Sequence, residues 1–278
     1  MTRTSQTNSM AGCSRVRPAP LLLVHGSLAS SRMWTPYRGA LGAAREIITV
    51  DLHGYGASPE WPGPAPMRLA DGAALLRDAC AHRAEPVHVI AHSFGGAVAL
   101  RWALESPERV ESLTLIEPVC FFLLQHLGAR AAGALAAIRR VADGFDPARG
   151  DADPVFAMRR FYDYWNGSGS WNALSAARRQ MLLAHYRQVG RDFAAIFAER
   201  FSPYALRRLH QPTLIVTGRE SSQAALLASA VIAEAVPEAA SVSVAGAGHM
   251  LPVTHPAELT AILLTRLGIA APAEPKAA

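Results

Sequence analysis

Chemistry is most legible in the stretch VIAHSFGGAVAL, residues 89–100, where an apolar run ends at Ser93 and Gly95-Gly96 open what reads as a helix. A serine on a sharp strand-to-helix turn is forced into a sparsely populated backbone conformation. That conformation exposes its hydroxyl and sets it at the positive end of the helix. Positions two before and two after such a serine need small side chains, because the helix and strand backbones approach closely. Gly95 meets this demand, and Ala91 stands where the usual G-x-S-x-G pattern has its first glycine. These residues point to a nucleophile at Ser93, against the plainer reading of a helix-capping serine.

A serine nucleophile needs a base. Of the ten histidines, His249 is the best placed, in AGAGHMLPVTHP, a glycine-rich loop between the last apolar run and the final helix. His255 reads as a capping or surface residue and His92 as a packed neighbour of Ser93. In LVHGS (23–27), the His25-Gly26 turn would aim the Ser27 N–H at the same point as the Phe94 N–H. Two such donors hold the oxyanion of a tetrahedral intermediate, and loss of one costs about 10²–10³ in rate.

These residues need a scaffold. Short apolar runs at 20–26, 46–52, 86–92, 110–118, 212–218 and 240–246 alternate with helix candidates around 67–82, 95–106, 223–236 and 256–267. Continuous apolar runs suit strands covered on both faces, so the alternation predicts a doubly wound, mostly parallel α/β sheet. Between 119 and 211 only helical patterns occur, such as ARRQMLLAHYRQVGRDFAAIFAE, too long for a plain connection. The segment is expected to be a helical cap inserted in a core formed by 20–118 and 212–268. Its RFYDYWNGSGSW holds five aromatic residues, which either join the cap to the core or line a pocket. Residues 1–19 are expected to be a mobile arm without the apolar region of a signal peptide, and 269–278 a frayed tail.

Composition narrows the function classes. Against 27 Lys and Arg stand 22 Asp and Glu, a net +5, with the arginines scattered, so nucleic acid is not an expected partner. Cys13, Cys80 and Cys120 form no metal or disulfide spacing, which makes a cytoplasmic setting the default. No membrane span, metal or cofactor motif is evident, and the sequence specifies no oligomeric state.

LLLVHGS, DLHGYGAS, AHSFGG and GAGHM, in this order around a helical insertion, resemble the α/β-hydrolase superfamily from about Pro20 to Leu267. The resemblance implies a Ser–acid–His triad containing Ser93 and His249, with Ser27 and Phe94 as oxyanion donors and no cofactor. One departure concerns the two strands that normally precede the HG strand. No clear pair does here, so a sheet of about six strands is expected. The acid is the other departure. The family's usual G-x-x-D after the strand PTLIVTG becomes GRES, which puts Ser221 at the acid position and Glu220 one place early. Glu117 ends the neighbouring run SLTLIEP, 117 − 93 = 24 residues after the serine, and this resembles the acid position of some haloalkane dehalogenases. Glu117 is therefore the expected triad acid, with Glu220, or no charged third member, as the alternatives. The expected activity is hydrolysis of a carboxylic ester or related acyl substrate, small and hydrophobic. Rival readings are C–C bond hydrolysis, hydroxynitrile lysis or acyl transfer on the same site, or a non-catalytic ligand-binding protein. A serine nucleophile argues against the haloalkane and epoxide branches, which use a carboxylate.

Overall fold

The computed structural model describes residues 18–63, 66–146 and 153–270. The expected arm and tail fall mainly outside these residues, as does Cys13. Six strands form one all-parallel sheet in the order β2-β1-β3-β4-β5-β6. They are β1 (Leu21–Val24), β2 (Ile47–Val50), β3 (Val87–His92), β4 (Val110–Ile116), β5 (Thr213–Gly218) and β6 (Ala239–Val244). The helices between them are α1 (Thr35–Gly42), α2 (Leu69–Ala79) and α3 (Phe94–Glu105), each after its strand. The long β4–β5 connection holds α4 (Ala132–Asp143), α5 (Pro154–Asn166), α6 (Ala176–Leu183), α7 (Tyr186–Ala198) and α8 (Pro203–Leu206). Then come α9 (Gln223–Ala235), α10 (Leu251–Thr254) and α11 (Pro256–Leu267). Six strands and a helical insertion match the fold class expected from the sequence.

Strand periodicity divides the core. Leu22 and Val24 face a cluster with Ala97, Val98 and Ile232, whereas Leu21 and Leu23 face Trp34, Tyr37, Leu259 and Leu263. Alternate side chains of one strand thus feed two cores, which is why β1 carries no polar residue. At the edge, β6 is mostly exposed, Val242 included. The chain runs from β1 out to the edge strand β2, then back across to β3. The loops after β1 and β3 therefore diverge at a topological switch point, the place where such sheets open a crevice.

The segment Phe121–Asp143 (23 residues) is long and apolar enough, by length and composition alone, to cross a membrane, with a mean hydropathy of 1.3 over its most apolar 18 residues. It begins as a 3-10 helix and is broken at Gly128, whose φ is 55° and ψ −129°. Phe121 to Leu124, Ile138 and Val141 are buried in the main core, as expected of an amphipathic core element. Sequence periodicity had no signal for the 3-10 turn Ser31–Trp34 and α1, which bury only Trp34, Tyr37 and Leu41.

Candidate active site

Ser93 caps α3 with φ 55° and ψ −122°. Its N–H donates to the Ile116 carbonyl at 3.0 Å, and its own carbonyl accepts from Gly96 N–H at 2.9 Å. These bonds hold a conformation that costs about 1–3 kcal/mol. Only a residue without Cβ fits at the two close approaches. A Cβ on Gly95 would sit 2.3 Å from the His25 carbonyl oxygen, and one on Gly26 would sit 2.7 Å from the Ser93 Cβ. Ala91 is fully buried and stays in register with Val24 of β1.

The Ser93 Oγ lies 3.0 Å from His249 Nε2, and His249 Nδ1 lies 3.2 Å from Glu117 Oε2. Glu117 is wholly buried, His249 nearly so. The other carboxylate oxygen accepts from the Gly218 N–H at 2.7 Å and the Ser221 hydroxyl at 2.6 Å. Glu117 lies at the end of β4, with φ 50°, and its N–H donates to Val216 of β5 at 2.9 Å. Glu220 is exposed, so of the two candidate acids Glu117 is the one brought to His249. Ser221, at the place of the family's usual aspartate, serves as a hydrogen-bond donor to Glu117. A hydroxyl, an imidazole and a carboxylate in this order can move a proton from the first to the second while the third orients the ring.

His249 is held on both sides. The Trp165 ring from α5 stacks on it, with centroids 3.9 Å apart and planes at 28°. His92 Nε2–H donates to the His249 carbonyl at 2.9 Å. A carbonyl can only accept, so the proton of neutral His92 sits on Nε2; burial, with the neighbouring His249, pushes its pKa down to about 3. His25 is neutral as well: Nδ1–H donates to Gly26 O at 2.7 Å, Nε2 accepts from Leu52 N–H at 3.0 Å, and burial lowers its pKa. This ring ties the loop after β1 to the loop after β2. Asp51 accepts from the Ser31 and Ala57 amides and so fixes the loop after β2 against the loop after β1. Phe94 is the first residue of α3, so its N–H has no intrahelical acceptor.

Among the described residues, three non-glycine residues have positive φ: Leu28, Ser93 and Glu117. All three belong to or adjoin the site, so backbone strain is concentrated there.

Two cavities meet at Ser93. An inner one of about 20 Å³ is lined by Ser27, Val119, Phe161, Trp165 and Val189. An outer cleft of about 970 Å³ includes His249, Phe161, Trp165, Arg178 and Met181. Phe161 and Trp165 line both, so part of the aromatic segment lines a pocket while also packing, as in the Phe145–Phe161 edge contact.

One residue at the inner cavity escaped the sequence reading. Asp192 on α7 is 2% exposed, and burial raises its pKa to about 7. The available signal was periodic: Gln188, Val189, Asp192, Phe193 and Ile196 share the buried face of α7, and an acid on an apolar stripe is anomalous.

The sequence and the fold have parallels among known proteins. The chain is 26% identical over 248 residues to RutD of Azorhizobium caulinodans, a proposed carbamate hydrolase, covering 88% of this chain and 89% of that one. It is 26% identical over 269 residues to the lipase LipV of Mycobacterium tuberculosis, covering 90% and 94%. A hydrolase structure from Pseudomonas aeruginosa superposes with a TM-score of 0.72 at 24% identity, covering 91% of each chain, a likeness of fold. A family model described as the alpha/beta hydrolase fold matches residues 19–256, and the chain belongs to that family and is a hydrolase by its relatives.

Proposed function

We propose that the protein is a serine hydrolase of carboxylic esters with a short acyl group. The hydrogen-bonded chain Ser93–His249–Glu117 carries this reading. His249 Nε2 removes the Ser93 proton as Oγ attacks the carbonyl, and the Ser27 and Phe94 amides hold the oxyanion. His249 then returns the proton to the leaving alcohol, and later activates the water that hydrolyses the acyl-enzyme. Glu117 keeps the imidazole oriented through its bond to Nδ1.

The leaving group must depart where His249 can protonate it. Only the outer cleft includes His249, so the alcohol portion occupies that side. The acyl group lies opposite, in the inner cavity of about 20 Å³, little more than the space of one water. Residues 119–211 act as the cap that closes this cavity over a core of 20–118 and 212–268.

Stoichiometric labelling of Ser93 by a fluorophosphonate, and faster hydrolysis of p-nitrophenyl acetate than of the octanoate, are the expected results. A folded protein that takes no label would instead be a binding module.

A further inference from the structure

Asp192 is a costly residue. A buried carboxylate loses hydration, and apolar replacements of buried charges often match or improve stability. Three donors surround it. Oδ2 accepts from the Ser27 hydroxyl at 2.5 Å and the Tyr55 hydroxyl at 2.6 Å, and Oδ1 accepts from Gln188 Nε2–H at 3.0 Å. Ser27 belongs to the loop after β1, Tyr55 to the loop after β2, and Asp192 and Gln188 to α7 of the insertion. One carboxylate therefore joins three elements that share no strand. The first of these loops is strained, since Leu28 has φ 59°. Such a conformation persists only where its surroundings over-determine it.

We infer that Asp192 is a positioning residue that, by gripping the Ser27 hydroxyl, sets the Ser27 N–H for the oxyanion and makes the insertion part of the catalytic apparatus. The inference rests on the proposed esterase reading. A carboxyl group suits the task because two hydroxyls converge on one of its oxygens, at 2.5 and 2.6 Å, while the other oxygen still takes a third donor. Ser27 contributes twice: its side chain is the handle, and its backbone amide is the functional donor.

The test uses the full chain with Asp192→Asn, Ser27→Ala and the double variant. Steady-state kinetics on p-nitrophenyl acetate are read beside inhibition by ethylboronic acid, whose tetrahedral adduct on Ser93 places an oxygen in the oxyanion position. Removing an oxyanion donor outright costs about 10²–10³, so a displaced donor should lower kcat about ten- to hundredfold. Boronate affinity should weaken by the same factor, with KM within about threefold of the parent. Ser27→Ala keeps the amide and loses only the handle, so it should reproduce the Asp192→Asn loss. The double variant should then lose no more than either single one. Should Asp192→Asn fail to fold, Ser27→Ala carries the same comparison. A rise in KM with kcat and boronate affinity unchanged would make Asp192 a substrate contact and overturn the inference. So would unchanged kinetics, or a kcat loss without weaker boronate binding. A parent protein that neither takes the fluorophosphonate nor binds the boronate would sink the esterase reading, and this inference with it.

Discussion

Replacing Glu117 by glutamine keeps the side chain's shape and exchanges one acceptor oxygen for a donor. The side-chain volume is unchanged, but one carboxylate oxygen becomes an NH₂ group. Gly218 N–H points at Oε1 from 2.7 Å, and a backbone N–H cannot turn round to accept, so the amide oxygen must take that side. The NH₂ group is then left facing His249 Nδ1, at the 3.2 Å now spanned by Oε2. A donor opposite Nδ1 selects the imidazole tautomer that carries its proton on Nε2. That nitrogen lies 3.0 Å from the Ser93 Oγ, and with its proton in place it can no longer receive another. The wrong tautomer in such an arrangement costs about 10⁴ in kcat, or about 5 kcal/mol of transition-state stabilisation. Each hydrogen bond retains a donor and an acceptor, so stability should move by no more than about 1 kcal/mol. Steady-state hydrolysis of p-nitrophenyl acetate and a urea melt measure the two quantities. A Glu117→Gln protein with kcat within tenfold of the parent, beside a crippled Glu220→Gln, would refute this reasoning.

Three further outcomes are expected. Val189→Ala removes two carbons from the wall of the inner cavity, at a cost of about 2 kcal/mol in stability, and should move the preferred p-nitrophenyl ester one or two carbons longer; an unchanged chain-length profile would mean that the acyl group lies elsewhere. Gly95→Ala drives a Cβ to 2.3 Å from the His25 carbonyl and should lower Tm and abolish fluorophosphonate labelling, whereas Ala91→Gly should cost about 1 kcal/mol and leave kcat within about twofold. The third concerns pH. His92 is held neutral with its pKa near 3 against 6.5 unfolded, so stability is lost as pH falls below 6.5, by about 2 kcal/mol at pH 5. Asp192 acts in the opposite sense: its pKa near 7 exceeds the unfolded 3.8, so stability is lost as pH rises between these values, by about 1.4 kcal/mol per unit. In Asp192→Asn the second effect disappears, and denaturation midpoints should fall more steeply from pH 7 to 5 than in the parent.

Much of this molecule was legible because its signals are local. Each strand is an apolar run with its own boundaries, and β3 with α3 announces the turn at Ser93 within a dozen residues. His249 was legible for the same reason, lying in a glycine-rich loop after the last strand. Distance in sequence is what hid the rest. The strand-end position of Glu117 favoured it over Glu220 in the sequence, but how its side chain is held depends on the end of β4 leaning over β5, which the Glu117 N–H to Val216 bond fixes and neither segment alone reveals. Asp192 was harder still, since its partners Ser27 and Tyr55 lie 165 and 137 residues away. Only its place on the apolar stripe of α7 marked it as anomalous.

The position of the acid follows from sheet topology. β4 and β5 are hydrogen-bonded neighbours, with Ile116 opposite Val216, so their ends deliver side chains to nearly the same point above the sheet. A carboxylate from either strand could face the imidazole of His249, provided that the other strand satisfies its remaining oxygen. That requirement is met here by Gly218 N–H and by the Ser221 hydroxyl, the residue standing where the family's usual aspartate would. The serine in GRES is therefore the complement of the glutamate in LIEP rather than a defect. Positive φ at Glu117 is the cost of turning that side chain back over the next strand, and it joins Leu28 and Ser93 as a third strained residue around one hydroxyl. Residues that break local backbone preferences persist when the surrounding structure holds them and the arrangement is used. Here the holding groups are the β5 backbone for Glu117, the α3 turn for Ser93 and the Asp192 clamp on the residue beside Leu28. Strain and its restraints thus converge on one point from three separate loops.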